Sequence, residues 1–275
     1  MTLLRRAAWC VLAVALLVSI APGFFALHPP QRQFREYPYA PPGVHGGNVF
    51  LLGTDEFGRD VYSRICYGAS VSLLLAPAAV GVSLALALLL GMIAGYRAGW
   101  VDTLVTRLGE VFLALPWFYF VIALRAALPL HLSPRAAALT LFALLGGLGW
   151  AVPARLFRGI TRRLMSEDFV QAARALGAGR SRVLFVHVLP GLWPAARAQL
   201  LLSLPAFILT EVNLSFLGLG ITDPTPTLGN LLTPLQQYSV LTSYPWMLAP
   251  AVVIMLVFLA LQEVSQQQRS STWDQ

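Results

Sequence analysis

Charge is what this 275-residue sequence has least of: only 11% of its residues are charged, and lysine does not occur at all. A soluble domain carries about 25% charged residues. The chain is 57% apolar, so it cannot cover a water-facing surface, and lipid must solvate part of it. The absence of lysine also excludes a P-loop of the form G-x-x-x-x-G-K-[ST], and with it ATP binding by that motif.

Cysteine and histidine are scarce as well. The two cysteines are Cys10, inside the first apolar run, and Cys66, so a disulfide framework is excluded. The four histidines are scattered and form no set of metal ligands. Nucleophile–base pairings and H-E-x-x-H are absent too. We therefore expect no catalytic, cofactor-binding or metal-binding residues, and the chain is not expected to be an enzyme.

Long apolar runs are abundant. A membrane span needs about 20 mostly apolar residues. The fourth run is short and rich in glycine, which favours a position packed inside a helix bundle. The first run exceeds a signal-peptide core of about 7–15 residues, although cleavage is the alternative there. The sequence predicts an all-α integral membrane protein with about six transmembrane helices, at Ala7–Leu27, Val71–Tyr96, Leu104–Leu124, Ala136–Pro153, Leu192–Phe216 and Pro245–Gln262.

The basic excess predicts the orientation of these spans. A net charge of +7 suits nucleic acid or anionic lipid, but the arginines lie mostly in short connections between apolar runs. With the N-terminus inside, 13 of the 19 arginines fall in cytoplasmic parts. Both termini are therefore expected in the cytoplasm, with no nucleic-acid partner. Residues 28–70 lie outside and are expected to form an extended loop without a core of its own.

The connection between the fourth and fifth spans has the clearest local pattern. Ser166 is predicted to cap a helix whose apolar residues recur at i, i+3, i+4 and i+7 from Phe169 to Leu176. Gly177 supplies the stop, and a second short helix from about Ser181 leads towards Pro190. The predicted object is a cytoplasmic helix–glycine–helix hairpin with basic edges. An amphipathic loop lying on anionic lipid is the alternative.

Within this hairpin, Gln171-Ala172-Ala173, Gly177 and Leu189-Pro190 resemble the EAA loop of ATP-binding-cassette (ABC) importer permeases. In that family the loop is a coupling helix that docks on the ATPase subunit. Gln171 stands where the pattern has glutamate, which replaces an ionised contact by a neutral one. The resemblance implies an ATPase-coupling loop formed by Glu167, Asp168, Gln171, Ala172, Ala173, Gly177, Arg180, Leu189 and Pro190.

Four further segments, in family order, are similar to the C-type permeases of dipeptide, oligopeptide and nickel importers: Leu52–Arg64, Gly95–Asp102, Glu211–Gly220 and Pro224–Asn230. The resemblance implies alternating access in a bacterial inner membrane. The implied partners are a B-type permease, two ATPases that hydrolyse ATP, a periplasmic or lipid-anchored binding protein, and lipid. It also implies an N-terminal helix and periplasmic loop in 1–70, a permease domain in 71–264 and a cytoplasmic tail in 265–275.

Polar residues near the outer face complete the predictions. Glu211 and Asn213 lie in the fifth span, where a charge is costly and marks a pathway or a contact with a partner's arginine. An ion-coupled secondary transporter in which Glu211 titrates is the alternative function. Ahead of the second span, Thr54 or Asp55 is expected to cap a helix, with Asp60 paired to Arg64 at i, i+4.

Overall fold

A computed structural model of the chain describes residues 3–97, 99–114, 116–127 and 133–273. Twelve α-helices fall in these ranges: α1 Leu3–Ile20, α2 Pro22–Phe25, α3 Val61–Tyr96, α4 Trp100–Ala114, α5 Trp117–Ala126, α6 Pro134–Leu148, α7 Ala151–Ser166, α8 Asp168–Ala175, α9 Arg180–Arg182, α10 Leu189–Phe216, α11 Tyr238–Ser243 and α12 Ala249–Trp273. A π-helix joins α9 to α10 at Val183–Val188, and short 3₁₀ helices occupy Asn230–Gln236 and Pro245–Leu248. One hairpin of strands β1 (Gly43–His45) and β2 (Asn48–Phe50) accompanies them.

Within the described residues, four helices are long and apolar enough to cross a membrane: Val61–Tyr96, Ala136–Ser166, Arg180–Phe216 and Pro245–Ser265. They confirm the all-α membrane class. The first predicted span corresponds to α1 and α2, and the third is divided into α4 and α5. At about 1.5 Å per residue, the 36 residues of α3 exceed the hydrocarbon thickness of about 30 Å. Helix α3 begins ten residues before the predicted span, so part of it projects beyond the lipid.

The predicted end of the fourth span at Pro153 is wrong. After a turn at 149–150 the chain continues as α7 to Ser166. Pro153 is the third residue of α7, where an N–H has no partner within the helix and its loss costs nothing. The proline therefore sits in a helix start rather than a helix end.

The chain divides into two compact units, and the first comprises Met1–Pro77, Arg125–Phe142 and Leu204–Gln275. In this unit α1 packs against α12. The outer segment was predicted to lack a core, and that prediction is wrong. Phe50 is fully buried, with its ring 5.0 Å from that of Phe34 and 5.4 Å from that of His28. The β-hairpin brings Phe50 into this cluster.

The second unit comprises Ala78–Leu124 and Ala143–Ser203. In it α7 packs against α4 and against the C-terminal half of α3. A Cβ on Gly91 would lie 2.7 Å from the carbonyl oxygen of Ala154, and one on Gly95 would lie 2.7 Å from Cβ of Thr161. Small residues are what allow two membrane helices to approach this closely. The glycines of α3 thus fix the position of α7, which leads directly into the predicted hairpin.

Candidate functional site

The hairpin at 166–190 begins with α8. Its N-cap is Glu167, in an extended conformation, rather than Ser166 as the sequence predicted. Ser166 is instead the last residue of α7, and its hydroxyl donates to the carbonyl of Arg163. Asp168 opens α8, where its charge favours the positive end of the helix dipole. The amide of Gln171 donates to the carbonyl of Met165 at 2.8 Å, so this side chain ties α8 to the end of α7.

Gly177 closes α8 with a left-handed turn at φ +86°. The N–H of Gly177 donates to Arg174 O, and the N–H of Ala178 donates to Ala173 O, each at 3.0 Å. These two bonds form a Schellman motif with the glycine at C′. A Cβ at Gly177 would meet no atom within 4 Å, so backbone conformation alone requires glycine here. The predicted stop at Gly177 is confirmed.

The second arm of the hairpin is continuous with the fifth span. Helix α9 starts at Arg180, one residue before the predicted start, and leads through the π-helix into α10. In the π segment the N–H of Leu189 donates to Leu184 O, five residues back. Leu189 and Pro190 therefore lie within one uninterrupted helical run, and no separate second helix ends before them.

The solvent-exposed face of the hairpin is apolar and has a basic rim. Phe169, Ala172 and Leu176 are exposed, and Leu176 is 89% exposed. Phe185 is exposed on the second arm, whereas Val170, Val183 and Val188 are buried. The rim consists of Arg174, Arg180 and Arg182, all exposed. An exposed apolar patch rimmed by polar residues marks an interaction surface.

Helix α7 is held to α4 by an ion cluster that the sequence reasoning missed. Asp102 accepts hydrogen bonds from Nε and Nη2 of Arg158 and a third from Nη2 of Arg162. The hydrogen bonds from Arg158, with the charges of both arginines, outweigh burial and lower the pKa of the Asp102 carboxyl. Asp102 ends the segment Gly95–Asp102 that the sequence singled out, but its partners lie 56 and 60 residues away.

A second charged cluster lies in the first unit, at residues that were expected to pair locally. Arg64 does not pair with Asp60, so that prediction is wrong. Its Nη2 donates to Oδ1 of Asp223 at 2.7 Å, and Nη1 of Arg59 reaches the same oxygen at 3.2 Å. The predicted helix cap at Thr54 or Asp55 is wrong, because Asp55 closes a turn before α3 by accepting from the N–H groups of Phe57 and Arg59. Asp60 caps α3 itself by accepting from the N–H and hydroxyl of Ser63.

Glu211 is fully buried in the first unit. The hydroxyls of Ser72 and Ser215 donate to its two carboxylate oxygens, each at 2.8 Å. The hydroxyl of Ser72 also accepts from the N–H of Leu228, so the carboxyl of Glu211 helps to hold the loop after α10. Asn213, two residues along, is exposed. The structure therefore separates the two residues that the sequence grouped together.

Comparison with known proteins agrees with this architecture. Residues 87–268 match the family model described as "Binding-protein-dependent transport system inner membrane component". The di/tripeptide transport system permease protein DppC of Pseudomonas aeruginosa is 36% identical over 256 residues, covering 91% of this chain and 81% of the relative. The oligopeptide transport system permease protein OppC of Bacillus subtilis is 34% identical over 197 residues, covering 72% and 62%.

The dipeptide transport system permease protein DppC of Haemophilus influenzae is 32% identical over 255 residues, covering 91% of this chain and 83% of the relative. The family match covers more than half of the chain and includes the whole hairpin. An apolar helical fold, a glycine-closed hairpin at the position of the EAA pattern and these matches agree. The chain belongs to the family of inner membrane components of binding-protein-dependent transport systems.

Proposed function

We propose that this chain is one permease subunit of an ABC importer for short peptides, driven through the 166–190 hairpin by separate ATPases. The observation that carries the proposal is the exposed apolar face of a hairpin held in one shape by the Schellman turn at Gly177. The peptide class is supported by relatives that are named for di/tripeptide, dipeptide and oligopeptide transport. Membership of a transport permease family excludes the ion-coupled secondary transporter that was the alternative, and it excludes an enzyme.

The proposed assembly contains a second, B-type permease, two ATPase subunits and a periplasmic or lipid-anchored binding protein. The chain has no lysine and so no P-loop, which is why ATP must act through other subunits. ATP then favours one of two arrangements of the permease pair, through an affinity that differs between them. The hairpin transmits that preference because α8 is tied to α7 by Gln171, and α7 to α4 by Asp102.

We also propose that both termini and the hairpin lie in the cytoplasm, because 13 of 19 arginines then fall inside. A C-terminal alkaline-phosphatase fusion is expected to be inactive in cells, since the enzyme needs the periplasm. A strongly active fusion would reverse the orientation and remove the hairpin from reach of ATP.

The coupling role is tested at Leu176. The substitution Leu176→Glu introduces a charge at the most exposed side chain of the apolar face, at the end of α8, without disturbing the buried Val170. We expect the ATPases to be lost when the permease is purified, and peptide uptake to fall with them, while membrane insertion is unchanged. The matched control is Leu51→Glu, an exposed leucine in the segment assigned to the outside. Normal co-purification and uptake with Leu176→Glu would contradict the assignment of the docking face.

A further inference from the structure

A cavity of about 270 Å³ opens in the first unit next to the cluster of Arg59, Arg64 and Asp223. Its wall also includes polar groups of the loop after α10, among them Thr222 and Gln237. Ligand pockets for drug-sized molecules measure about 300–1,000 Å³. This cavity therefore suits a smaller group, of the size of one or two amino-acid residues.

Arg64 on the wall of this cavity has unused hydrogen-bonding capacity. Its side chain is only 2% exposed, yet Nε and Nη1 have no hydrogen-bond partner among the described residues. Nε lies 3.8 Å from Oδ2 of Asp55, beyond hydrogen-bond distance, and only Nη2 is bonded, to Asp223. A buried donor without a partner costs about 1–3 kcal/mol. The guanidinium is therefore incompletely satisfied by the chain itself.

The two carboxylates of the cluster differ in how firmly they are held. Asp55 is buried and fully engaged, because Oδ1 accepts from two backbone N–H groups and Oδ2 accepts from Nε of Arg59. Asp223 is 51% exposed, and its bonds to Arg59 and Arg64 use Oδ1 alone. Burial raises the pKa of the Asp223 carboxyl, but the guanidinium groups of Arg64 and Arg59 outweigh it and hold the pKa below its ordinary range. Asp223 is thus an anion that covers Arg64 from the solvent side by a single oxygen.

We propose that this cavity receives the C-terminal carboxylate of a short peptide, which displaces Asp223 and binds Arg64 through two parallel N–H···O bonds. A ligand carboxylate can engage Nη1 and Nη2 together, whereas Asp223 engages only Nη2, and bidentate arginine–carboxylate pairs are the stronger kind. The exchange keeps the charge balanced, because two guanidinium groups still face two carboxylates. The peptide class in this inference rests on the proposed function.

The test uses the purified complex of both permeases and the ATPases, without the binding protein, and follows its thermal unfolding. The probes are dialanine and alanylalanine amide, which differ at the carboxylate. Dialanine is expected to raise the unfolding temperature of the wild-type complex in a saturable way, and the amide is not. In Asp223→Asn the competing charge is removed. If Asp223 leaves Arg64 free about a tenth of the time in the wild type, the half-saturating dialanine concentration should fall about tenfold in this variant. In Arg64→Lys, which keeps the positive charge but loses the paired N–H donors of the guanidinium, the half-saturating dialanine concentration should rise about tenfold.

Arg107→Gln is the matched control, because Arg107 is 77% exposed and pairs only with Glu110 among the described residues. Its response to dialanine should equal that of the wild type. An equal response to dialanine and the amide, or no tightening in Asp223→Asn, would overturn the proposal. Asp223→Asn decides the question alone if Arg64→Lys does not fold.

A separate arm distinguishes this inference from the proposed function. If cells import dialanine but the complex shows no carboxylate-dependent stabilisation, the cavity proposal fails and the proposed function stands. If acetate stabilises the complex through Arg64 while no peptide is imported, a peptide is not the ligand of the cavity, and the proposed function fails as well.

Discussion

The substitution Gly177→Val forces a β-branched side chain into a backbone conformation with φ +86°. The left-handed region costs an L-residue about 1–2 kcal/mol, and a strained position about 1–3 kcal/mol. No other part of the described chain lies within 4 Å of the added Cβ, so the penalty arises mainly from the backbone conformation. The strain is relieved by opening the two bonds of the Schellman turn, from Gly177 N–H and Ala178 N–H, rather than by unfolding the spans.

Opening the turn is expected to misplace the exposed face of α8 that we propose as the ATPase docking face. At 1.4 kcal/mol per factor of ten, a strain of 1–3 kcal/mol weakens ATPase binding by about 5- to 150-fold. The assay measures the amount of ATPase that co-purifies with the permease, and peptide uptake by cells, each relative to the permease present in the membrane. We expect a normal amount of permease with weakly bound ATPases, or with ATP hydrolysis uncoupled from uptake.

Gly179→Val is the matched control in the same loop. Gly179 has φ −64° and ψ 161°, an extended conformation that any residue adopts, and its Cβ position is also open. This variant should retain ATPase binding and uptake within about twofold, since ordinary surface substitutions change stability by less than about 0.5 kcal/mol. Equal behaviour of the two variants would show that the left-handed turn at Gly177 does not position α8, because the sign of φ is what distinguishes the two glycines.

Three other substitutions test the packing around the site. Glu211→Leu leaves the hydroxyls of Ser72 and Ser215 without their acceptor and should destabilise the protein by about 1–3 kcal/mol in thermal unfolding. Glu211→Gln should retain peptide uptake. Loss of uptake by a stable Glu211→Gln variant would show that the carboxyl itself takes part in transport. Gly91→Val should destabilise the protein by about 1–3 kcal/mol through the clash with Ala154. Gly81→Val, in the same helix but with open space around it, should not destabilise the protein. Equal melting temperatures of the two variants would exclude the close contact at Gly91. Asp102→Asn should lower the unfolding temperature at neutral pH. Because the pKa of Asp102 is depressed in the folded protein, the difference in unfolding temperature from the wild type should persist above pH of about 5 and shrink below pH of about 3.9. A difference that does not depend on pH would exclude the ion pairs as its cause.

Local features of the fold were predictable from the sequence because their causes are local. Gly177 follows an apolar pattern of helical period, and the turn that it forms is closed by hydrogen bonds between residues no more than five apart. The positions of the long apolar helices follow from run length in the same way. The predicted fourth span ended at Pro153, where the apolar run ends, whereas α7 continues through a polar segment to Ser166.

Contacts between distant segments were not predictable. Arg64 had an acidic residue at i−4, yet it pairs with Asp223, 159 residues away, because Asp60 is already occupied as the cap of α3. Glu211 was predicted only as a costly charge within a span, and its hydroxyl donor Ser72 lies 139 residues away. In a single sequence nothing distinguishes these partners from other serines and aspartates. The hairpin was therefore predicted nearly in full, and the charged clusters only as isolated residues.

The π-helix at Val183–Val188 sets the rotational phase between the hairpin and the fifth span. A proline ring clashes with the carbonyl four residues back in an α-helix, here that of Val186, and a wider turn moves that carbonyl away from Pro190. One extra residue in a turn rotates everything before it by about 100° relative to the helix that follows. The Leu189-Pro190 pair consequently sets which way Phe185 faces. A Pro190→Ala variant that rewinds to an α-helix would keep every side chain of the proposed docking face and turn Phe185 away from the other residues of that face.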